Sequence, residues 1–513
     1  MIQELQTPAQ AALWLRQHVT GTLQSDSRKL VAGDGFIAWP GAAADARQFV
    51  ADALQSGAGA CLVERDGAAV WNLDGARVAS YQNLKADTGA IAAEFFGAPS
   101  RDLKVVAVTG TNGKTSTAWW LAQALSALPD AQALPCGMIG TLGVGRPPAN
   151  GVASPSQVGA TVTPTGLTTP DPVLLQKTLR QFKDQGLKAC AMEASSIGIE
   201  ENRLDGTHIQ VAIFTNFTQD HLDYHGSMEA YWQSKRRLFA WPGLASAVIN
   251  VDDAQGVVLA ESLAVSSLDV WTVSCQREAR LQACAIAYDA QGLSFDVREG
   301  GVSHRLQTRM IGTYNISNLL GVLGAMRGLG VPLQSAVQAC GTLHPVPGRM
   351  ECLGQPGEPL VVVDYAHTPD ALSQALAALQ PLAAQRGGRL WCVFGCGGDR
   401  DASKRPLMGA IASQKADQVL VTSDNPRGEK AESIIAHILL GLAQSKSVDV
   451  QTDRALAIAE AITRAEPNDV VLLAGKGHEE TQEISGVKHP FSDRAHAQSA
   501  LRNSRPMGLG VRA

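Results

Sequence analysis

Twice along the chain, short apolar runs rich in β-branched residues alternate with stretches of helical length that contain neither glycine nor proline. The first series starts at Lys104-Val-Val-Ala-Val-Thr109 and continues through Ala189–Met192, Val211–Phe214 and Ala247–Val251. Ser116–Leu128 and Met228–Phe239 are helix-like stretches within it. The second series runs through Leu360–Val363, Leu390–Phe394, Gln418–Val421, Val448–Gln451 and Val470–Leu473, with Ala371–Gln380 and Ala431–Leu440 as examples of the helical intervals. Strand, helix and strand in this rhythm predict parallel βαβ units, in which helices cover both faces of the sheet.

Glycine and proline punctuate the chain at Gly97-Ala98-Pro99-Ser100 and at His344-Pro-Val-Pro-Gly348. A chain of 513 residues exceeds what one hydrophobic core supports, and at ~150 residues per domain it suggests about three domains. The punctuation sets them at 1–99, 100–343 and 344–513. The first is a smaller α/β unit with apolar runs at Gly35–Trp39 and Ala60–Val63. A composition of 45% hydrophobic and 18% charged residues excludes a disordered or fibrous chain. A net charge of −5 provides no global positive field for nucleic acid or an acidic membrane. No apolar stretch reaches the ~18 residues a membrane span needs, and Met1-Ile2-Gln3-Glu4 has no basic, apolar export pattern. The nine cysteines form no CxxC pair, and Cys392-x3-Cys396 lies where a strand runs into a glycine turn. Free thiols and a cytoplasmic location are the expectation.

Chemistry concentrates after the strands. Gly110-Thr111-Asn112-Gly113-Lys114-Thr115-Ser116 lies between a strand and a helix. Glycines there let backbone N–H groups approach phosphate oxygens, and a helix N-terminus adds a favourable dipole. Lys114 is placed for the outer phosphates and the Thr115 hydroxyl for Mg²⁺. The loop is shorter than the common GxxxxGK[ST] pattern, because position 108 is valine. Glu193 and the segment Thr215–His221 follow the next two runs, and ligand sites in open α/β sheets gather at such carboxyl ends. Glu193 and His221 suit a metal beside a nucleotide, and equally suit a surface carboxylate and a capping histidine. Thr168-Thr169-Pro170-Asp171 reads as a helix N-cap followed by proline. Spacing alone makes Lys235-Arg236-Arg237 a solvated basic face.

These segments occur in the order found in one family. GTNGKTS (110–116), TTPD (168–171), MEASS (192–196), FTNFTQDHLDYHG (214–226), YWQSKRRLF (231–239), GTYNISN (312–318), HPVPGRME (344–351), DYAHTPDAL (364–372) and GCGGDRDASKRP (395–406) resemble the Mur ligases across most of the chain. The resemblance implies a central P-loop ATPase-like parallel sheet, a Rossmann-like C-terminal domain and a smaller N-terminal α/β domain. It implies ATP-dependent amide synthesis through an acyl phosphate. Gly110 to Ser116 would then bind ATP with Asn315, Arg349, Asp364 and His367. Lys114, Glu193, His221 and Lys235 would be catalytic. Thr115, Glu193, His221 and Lys235 would hold Mg²⁺, with Lys235 carrying a CO₂-derived carbamate, which needs a neutral and therefore buried amine. That implication displaces the solvated-face reading of Lys235.

Ser27, Thr168, Thr169, Ser195, Glu201 and Arg203 would hold UDP-N-acetylmuramoyl-L-Ala-D-Glu, with the N-terminal domain on the uridine. Ser423–Arg427 followed by Ala474–Glu479 is similar to the diaminopimelate-adding branch of the family. Arg400, Asp424, Asn425, Pro426, Arg427, Gly475 and Glu479 would form that pocket. The Arg427 guanidinium would pair with the distal carboxylate of meso-diaminopimelate, which lysine lacks. Two departures stand out. Ile197 replaces a histidine frequent in the family, and Gly41-Ala-Ala-Ala44-Asp45 is blander than the usual polar loop. A lysine-adding or folylpolyglutamate-type ligase is the rival within the superfamily, and a nucleotide-gated binding protein the rival outside it. A monomer is expected, with no nucleic acid and no membrane insertion.

Overall fold

The β-branched runs become the inner strands of separate sheets in the computed structural model, which describes residues 2–41, 44–149, 162–289, 292–442 and 448–503. In the N-terminal part, five parallel strands lie in the order Gln3–Leu5, Val78–Tyr81, Ala60–Glu64, Gly35–Ala38 and Leu23–Gln24. Trp14 and Leu15 from helix Pro8–His18 and Ile91 from helix Leu84–Phe95 pack against Leu62 on one face. Val173, from the next part of the chain, joins the same apolar cluster and seats this unit on helix Pro172–Asp184.

The central sheet has eleven strands, and Lys104–Thr109 lies between Val211–Phe214 and Ala189–Glu193. Ser246–Asn250, Asp269–Ser274 and Leu281–Asp289 extend the parallel block on one side, and Cys136–Gly140 on the other. Phe214 pairs with Thr109 and Glu193 with Val108, so these strands end level with one another. Residues just past them therefore share one rim. Helices Lys114–Ser126 and Tyr314–Gly328 are buried against one face, and Leu175, Leu179, Trp232 and Phe239 fill the other. The strands Leu281–Asp289, Gly292–Glu299 and Val302–Gln307 form an antiparallel edge that the sequence analysis does not anticipate.

The C-terminal sheet runs Glu351–Leu353, Leu360–Asp364, Val470–Ala474, Leu390–Phe394, Gln418–Val421 and Val448–Val450. Its first strand is antiparallel and the other five, matching the five apolar runs, are parallel. Asp364, Ala474, Phe394 and Val421 are successive register partners, which again levels the carboxyl ends.

Two local readings need correction. The helix expected at Ser116–Leu128 spans Lys114–Ser126, because Gly113 at φ +83° turns the loop and leaves Lys114 at the first helical position. In Thr168–Asp171 the capping residue is Asp171, whose carboxylate accepts from the Val173 and Leu174 N–H groups, with Pro172 opening the helix. Thr169 serves elsewhere, as shown below.

Candidate active site

Strand ends levelled by register gather the phosphate loop, Glu193 and the Thr215–His221 segment on one rim. Across from it stand residues of the C-terminal part, and between them lies a cavity of about 640 Å³. Its walls include Thr111 to Ser116, Thr168, Glu193 and His221 on one side and Arg349, Asp364 and His367 on the other, with Asn315 at the base of the loop. These are residues the sequence analysis singles out, brought together from segments far apart in the chain.

The loop is closely held. A side chain at Gly113 would strike the Asn318 amide, and one at Gly110, at φ +147°, would strike the Thr215 hydroxyl. Thr215 Oγ1 donates to the Asn112 carbonyl at 2.6 Å, and the Asn112 N–H donates to Asn216 Oδ1 at 2.9 Å. Lys114 Nζ donates to the Gly110 and Thr111 carbonyls at 2.9 and 2.8 Å, and burial lowers its affinity for a proton. The Thr111 and Asn112 N–H groups are taken by Asn216, and Thr111 to Ser116, Lys114 among them, line the cavity at the start of helix Lys114–Ser126, a position suited to phosphate oxygens.

Thr115 Oγ1 donates to Glu193 Oε2 at 3.0 Å and accepts from Arg349 Nη2 at 3.1 Å. Glu193 is fully buried, and its Oε1 also accepts from the Thr141 N–H at 2.8 Å. Thr115 and Glu193 are adjacent hard oxygen donors beside a phosphate loop, which is the donor chemistry Mg²⁺ selects. Among the described residues no three His, Cys, Asp or Glu side chains converge, so a cation here would draw its other ligands from His221 on the same cavity wall, phosphate oxygens, water or a modified side chain.

Lys235 has the environment such a modification needs. It is 1% exposed, its Nζ donates to the Gly110 carbonyl at 2.7 Å and stands 4.3 Å from the Tyr231 ring centroid. No carboxylate among the described residues pairs with it, and burial together with the nearby Lys114 cation pushes its pKa well below the usual lysine range. Arg236 and Arg237 are exposed, so the basic triplet is split between core and solvent. The helical spacing carries the signal: Tyr231, Lys235, Leu238 and Phe239 share one buried stripe. His221 adopts a left-handed backbone, φ +53°, with Nε2 3.5 Å from the Asp220 carboxylate. Burial alone would raise Asp220, but the facing His221, His367 and Lys404 hold it down to about 2.

On the C-terminal wall, the Asp364 carboxylate accepts from the Met350 and Ala366 N–H groups at 2.7 and 2.9 Å, and burial raises its pKa. The Arg349 guanidinium lies over the Tyr365 ring at 4.3 Å. His367 is held by the Tyr365 carbonyl at 2.7 Å and pushed down to about 4 by burial.

The remaining candidates lie outside this cavity, in two groups. Thr169 Oγ1 donates to the Glu193 carbonyl at 2.8 Å and accepts from the Ser195 N–H at 3.0 Å. Arg203 Nη1 donates to the Thr169 carbonyl at 3.0 Å. Glu201 pairs with Lys85 of the N-terminal part at 2.5 Å and accepts from the Tyr224 hydroxyl at 2.6 Å. Ser27 begins a short 3₁₀ turn near this boundary, where Ser25 Oγ donates to Asp171 at 3.1 Å. Ile197 is part-buried on the short helix Ser196–Glu200. Residues 42 and 43 of the bland loop lie outside the described residues.

The second group sits on loops at the levelled end of the C-terminal sheet. Asn425 Nδ2 donates to Glu479 Oε2 at 2.8 Å, and Arg427, at φ +50°, donates from Nη1 to the Gly398 carbonyl at 2.8 Å. A side chain at Gly475 would press on the Asp424 carboxylate, and Gly475 N–H donates to the Asp364 carbonyl at 3.1 Å, linking this pocket to the cavity wall. Pro426 continues the same loop, and exposed Arg400 donates to the neighbouring Asp399 carbonyl at 3.0 Å. Thr141, Asp220, Tyr365 and Lys476 are participants that sequence reasoning missed. Asp220 and Tyr365 contact His221 and His367 nearby in sequence, Thr141 reaches Glu193 52 positions on, and Lys476, two residues past Ala474, holds both Glu479 three positions on and Asn425 51 positions back.

Two family models match the chain: the Mur ligase middle domain over residues 108–326 and the Mur ligase glutamate ligase domain over 348–477. A UDP-N-acetylmuramoyl-L-alanyl-D-glutamate--2,6-diaminopimelate ligase from Acidovorax sp. is 60% identical over 504 residues, 98% of each chain. A solved structure of a ligase of that name is 35% identical, covers 94% of each chain and has a TM-score of 0.63. The MurF ligase of Thermotoga maritima, solved in complex with ADP, has a TM-score of 0.65 at 19% identity over 96% of this chain and 98% of its own, a likeness of fold.

Proposed function

The chain belongs to the Mur ligase family, and from that membership we propose that it joins meso-diaminopimelate to the D-Glu γ-carboxylate of UDP-N-acetylmuramoyl-L-Ala-D-Glu at the expense of ATP. The observation that carries this reading is the meeting of Thr115, Glu193 and Arg349 at one cavity, with loop and arginine drawn from different parts of the chain. Phosphoryl transfer asks mainly for positioning and charge neutralisation, and this constellation supplies both.

In the proposed reaction, the loop N–H groups and Lys114 hold the nucleotide phosphates, and Arg349 approaches the transferring group from the opposite wall. The γ-phosphoryl group passes to the D-Glu carboxylate, giving an acyl phosphate and ADP. The diaminopimelate amine then attacks the carbonyl carbon, phosphate leaves, and the amine gives up a proton. Mg²⁺ held by Thr115, Glu193 and His221 would neutralise phosphate charge. Lys235, whose burial favours the neutral amine, is suited to react with CO₂ and add an anionic oxygen to that set. Asn315, Asp364 and His367 complete the nucleotide side. Ser27, Thr168, Thr169, Ser195, Glu201 and Arg203 take the UDP-linked substrate. Arg400, Asp424, Asn425, Pro426, Arg427, Gly475 and Glu479 take the amino acid. The units 1–99, 100–343 and 344–513 accordingly grip uridine, ATP and diaminopimelate, in a cytoplasmic monomer serving peptidoglycan assembly. No helix among the described residues is long and apolar enough to cross a membrane.

Phosphate release by the purified protein tests the proposal. Release is expected to require the UDP-dipeptide, ATP and meso-diaminopimelate together. Release with lysine and none with diaminopimelate would overturn it.

A further inference from the structure

Behind the amino-acid loops lies a cation that the proposed reaction does not use. Lys476 follows strand Val470–Ala474 by two residues, its side chain is 0% exposed, and its Nζ donates to Asn425 Oδ1 at 3.0 Å and to Glu479 Oε2 at 2.9 Å. Being sealed from water, it does not itself meet a substrate. A buried ammonium is costly unless paired, so its two partners are held firmly where they are.

Asn425 is an amide whose two ends differ in chemistry, one accepting and one donating. Its Oδ1 accepts from Lys476 Nζ and from the Glu483 N–H, both at 3.0 Å. That fixes the amide with Nδ2 forward, where it donates to Glu479 Oε2 at 2.8 Å. Glu479 Oε2 is thus occupied twice, by Asn425 and by Lys476, while its Oε1 has no hydrogen-bond partner among the described residues. The Glu479 side chain is 28% exposed, so part of it reaches the surface although Lys476 behind it does not.

We propose that Lys476 is a positioning residue for amino-acid recognition: it sets the Asn425 amide with its N–H groups forward and turns Glu479 so that Oε1 is left for the substrate ammonium. Without that cation the Glu483 N–H alone would hold the amide by Oδ1, and Glu479 Oε2 would be left with the Asn425 donor, so the carboxylate is freer to rotate. The inference rests on the reading that Asn425 and Glu479 line the amino-acid pocket.

The test compares Lys476→Met, which removes charge and donors, with Lys476→Gln, which keeps a donor alone. Phosphate release is measured while each substrate is varied, and thermal unfolding is followed in parallel. The KM for diaminopimelate is expected to rise tenfold or more in Lys476→Met and by less in Lys476→Gln. The KM values for ATP and the UDP-dipeptide should stay within twofold. An unchanged diaminopimelate KM in either folded variant overturns the proposal, as does a parallel rise of all three KM values with a falling Tm, which would mark a merely structural lysine. If Lys476→Met does not fold, Lys476→Gln decides by the same criterion. The wild-type protein separates this from the underlying reading: if it uses another amino acid, that reading fails and the same comparison is made with the amino acid it does use.

Discussion

Asn112 Nδ2 donates to Asp370 Oδ2 at 3.0 Å, tying the phosphate loop to the first turn of helix Pro369–Arg386. Gln219 Nε2 adds a second link to Asp401 at 3.3 Å. The loop that would bind phosphate is therefore mechanically joined to the C-terminal part of the chain. A hydrogen bond to a charged group contributes about 1.5–3 kcal/mol when well formed. Asp370→Ala is expected to shift the balance toward an open arrangement by about tenfold. Small-angle scattering should show a larger radius of gyration than wild type with nucleotide present, and equal radii would remove the strap role of this contact.

Lys235→Ala should lower the rate on the order of 100-fold, the scale of losing one preorganised electrostatic group at a reacting centre. Acetate or formate should restore part of it by standing in for a carbamate. Full activity of the unsupplemented variant would rule out any catalytic part for this lysine.

Arg454 and Asp493 form an ion pair at 2.7 Å with neither side chain exposed, and Arg454 also donates to the Ser423 and Ala474 carbonyls at 3.2 and 2.9 Å. Removing one member of a buried pair strands the other, which costs about 3–5 kcal/mol. Asp493→Ala should therefore destabilise the C-terminal part by that amount in denaturant titration. A change below about 1 kcal/mol would show that water or a neighbour compensates.

Burial pushes His367 down to about 4 and His478 down to about 3, whereas an unfolded imidazole titrates near 6.5. Between the folded and unfolded values the unfolded chain binds more protons, so stability falls as pH drops from about 6.5 toward about 4, and is fully present above about 7. Each histidine contributes at most about 1.4 kcal/mol per pH unit. His367→Gln should flatten that fall in denaturation curves taken at several pH values. An unaltered pH slope would contradict the assignment.

What the sequence made legible was whatever repeats locally. Each of the five apolar runs beyond residue 359 is a strand, because a strand buried on both faces needs a continuous apolar run and little else. The antiparallel edge Leu281–Gln307 escaped notice because its outer residues face water and its apolar positions are diluted, with only Leu281 and Ala283 buried at the start of its first strand. Spacing alone reads Lys235 with Arg236 and Arg237 as a solvated face, and the family resemblance points the other way; the structure buries Lys235 on the stripe it shares with Tyr231. Thr141, Asp370 and, in its contact with Asn425, Lys476 are hidden for a different reason. Each acts through a partner that only folding brings near: Lys476 and Asn425 stand 51 positions apart, Asn112 and Asp370 258.

The levelled strand ends of the C-terminal sheet have a consequence for how such a protein can change. Asp364, Ala474, Phe394 and Val421 fix the platform, while the loops that follow them would choose the amino acid in the proposed reaction. The loop residues Asn425 and Arg427 stand apart from the apolar clusters that hold the sheet together, so a substitution at either is expected to leave the strands beneath in place. A lineage carrying this scaffold can trade one cell-wall building block for another by exchanging a few loop residues, with no redesign of the core.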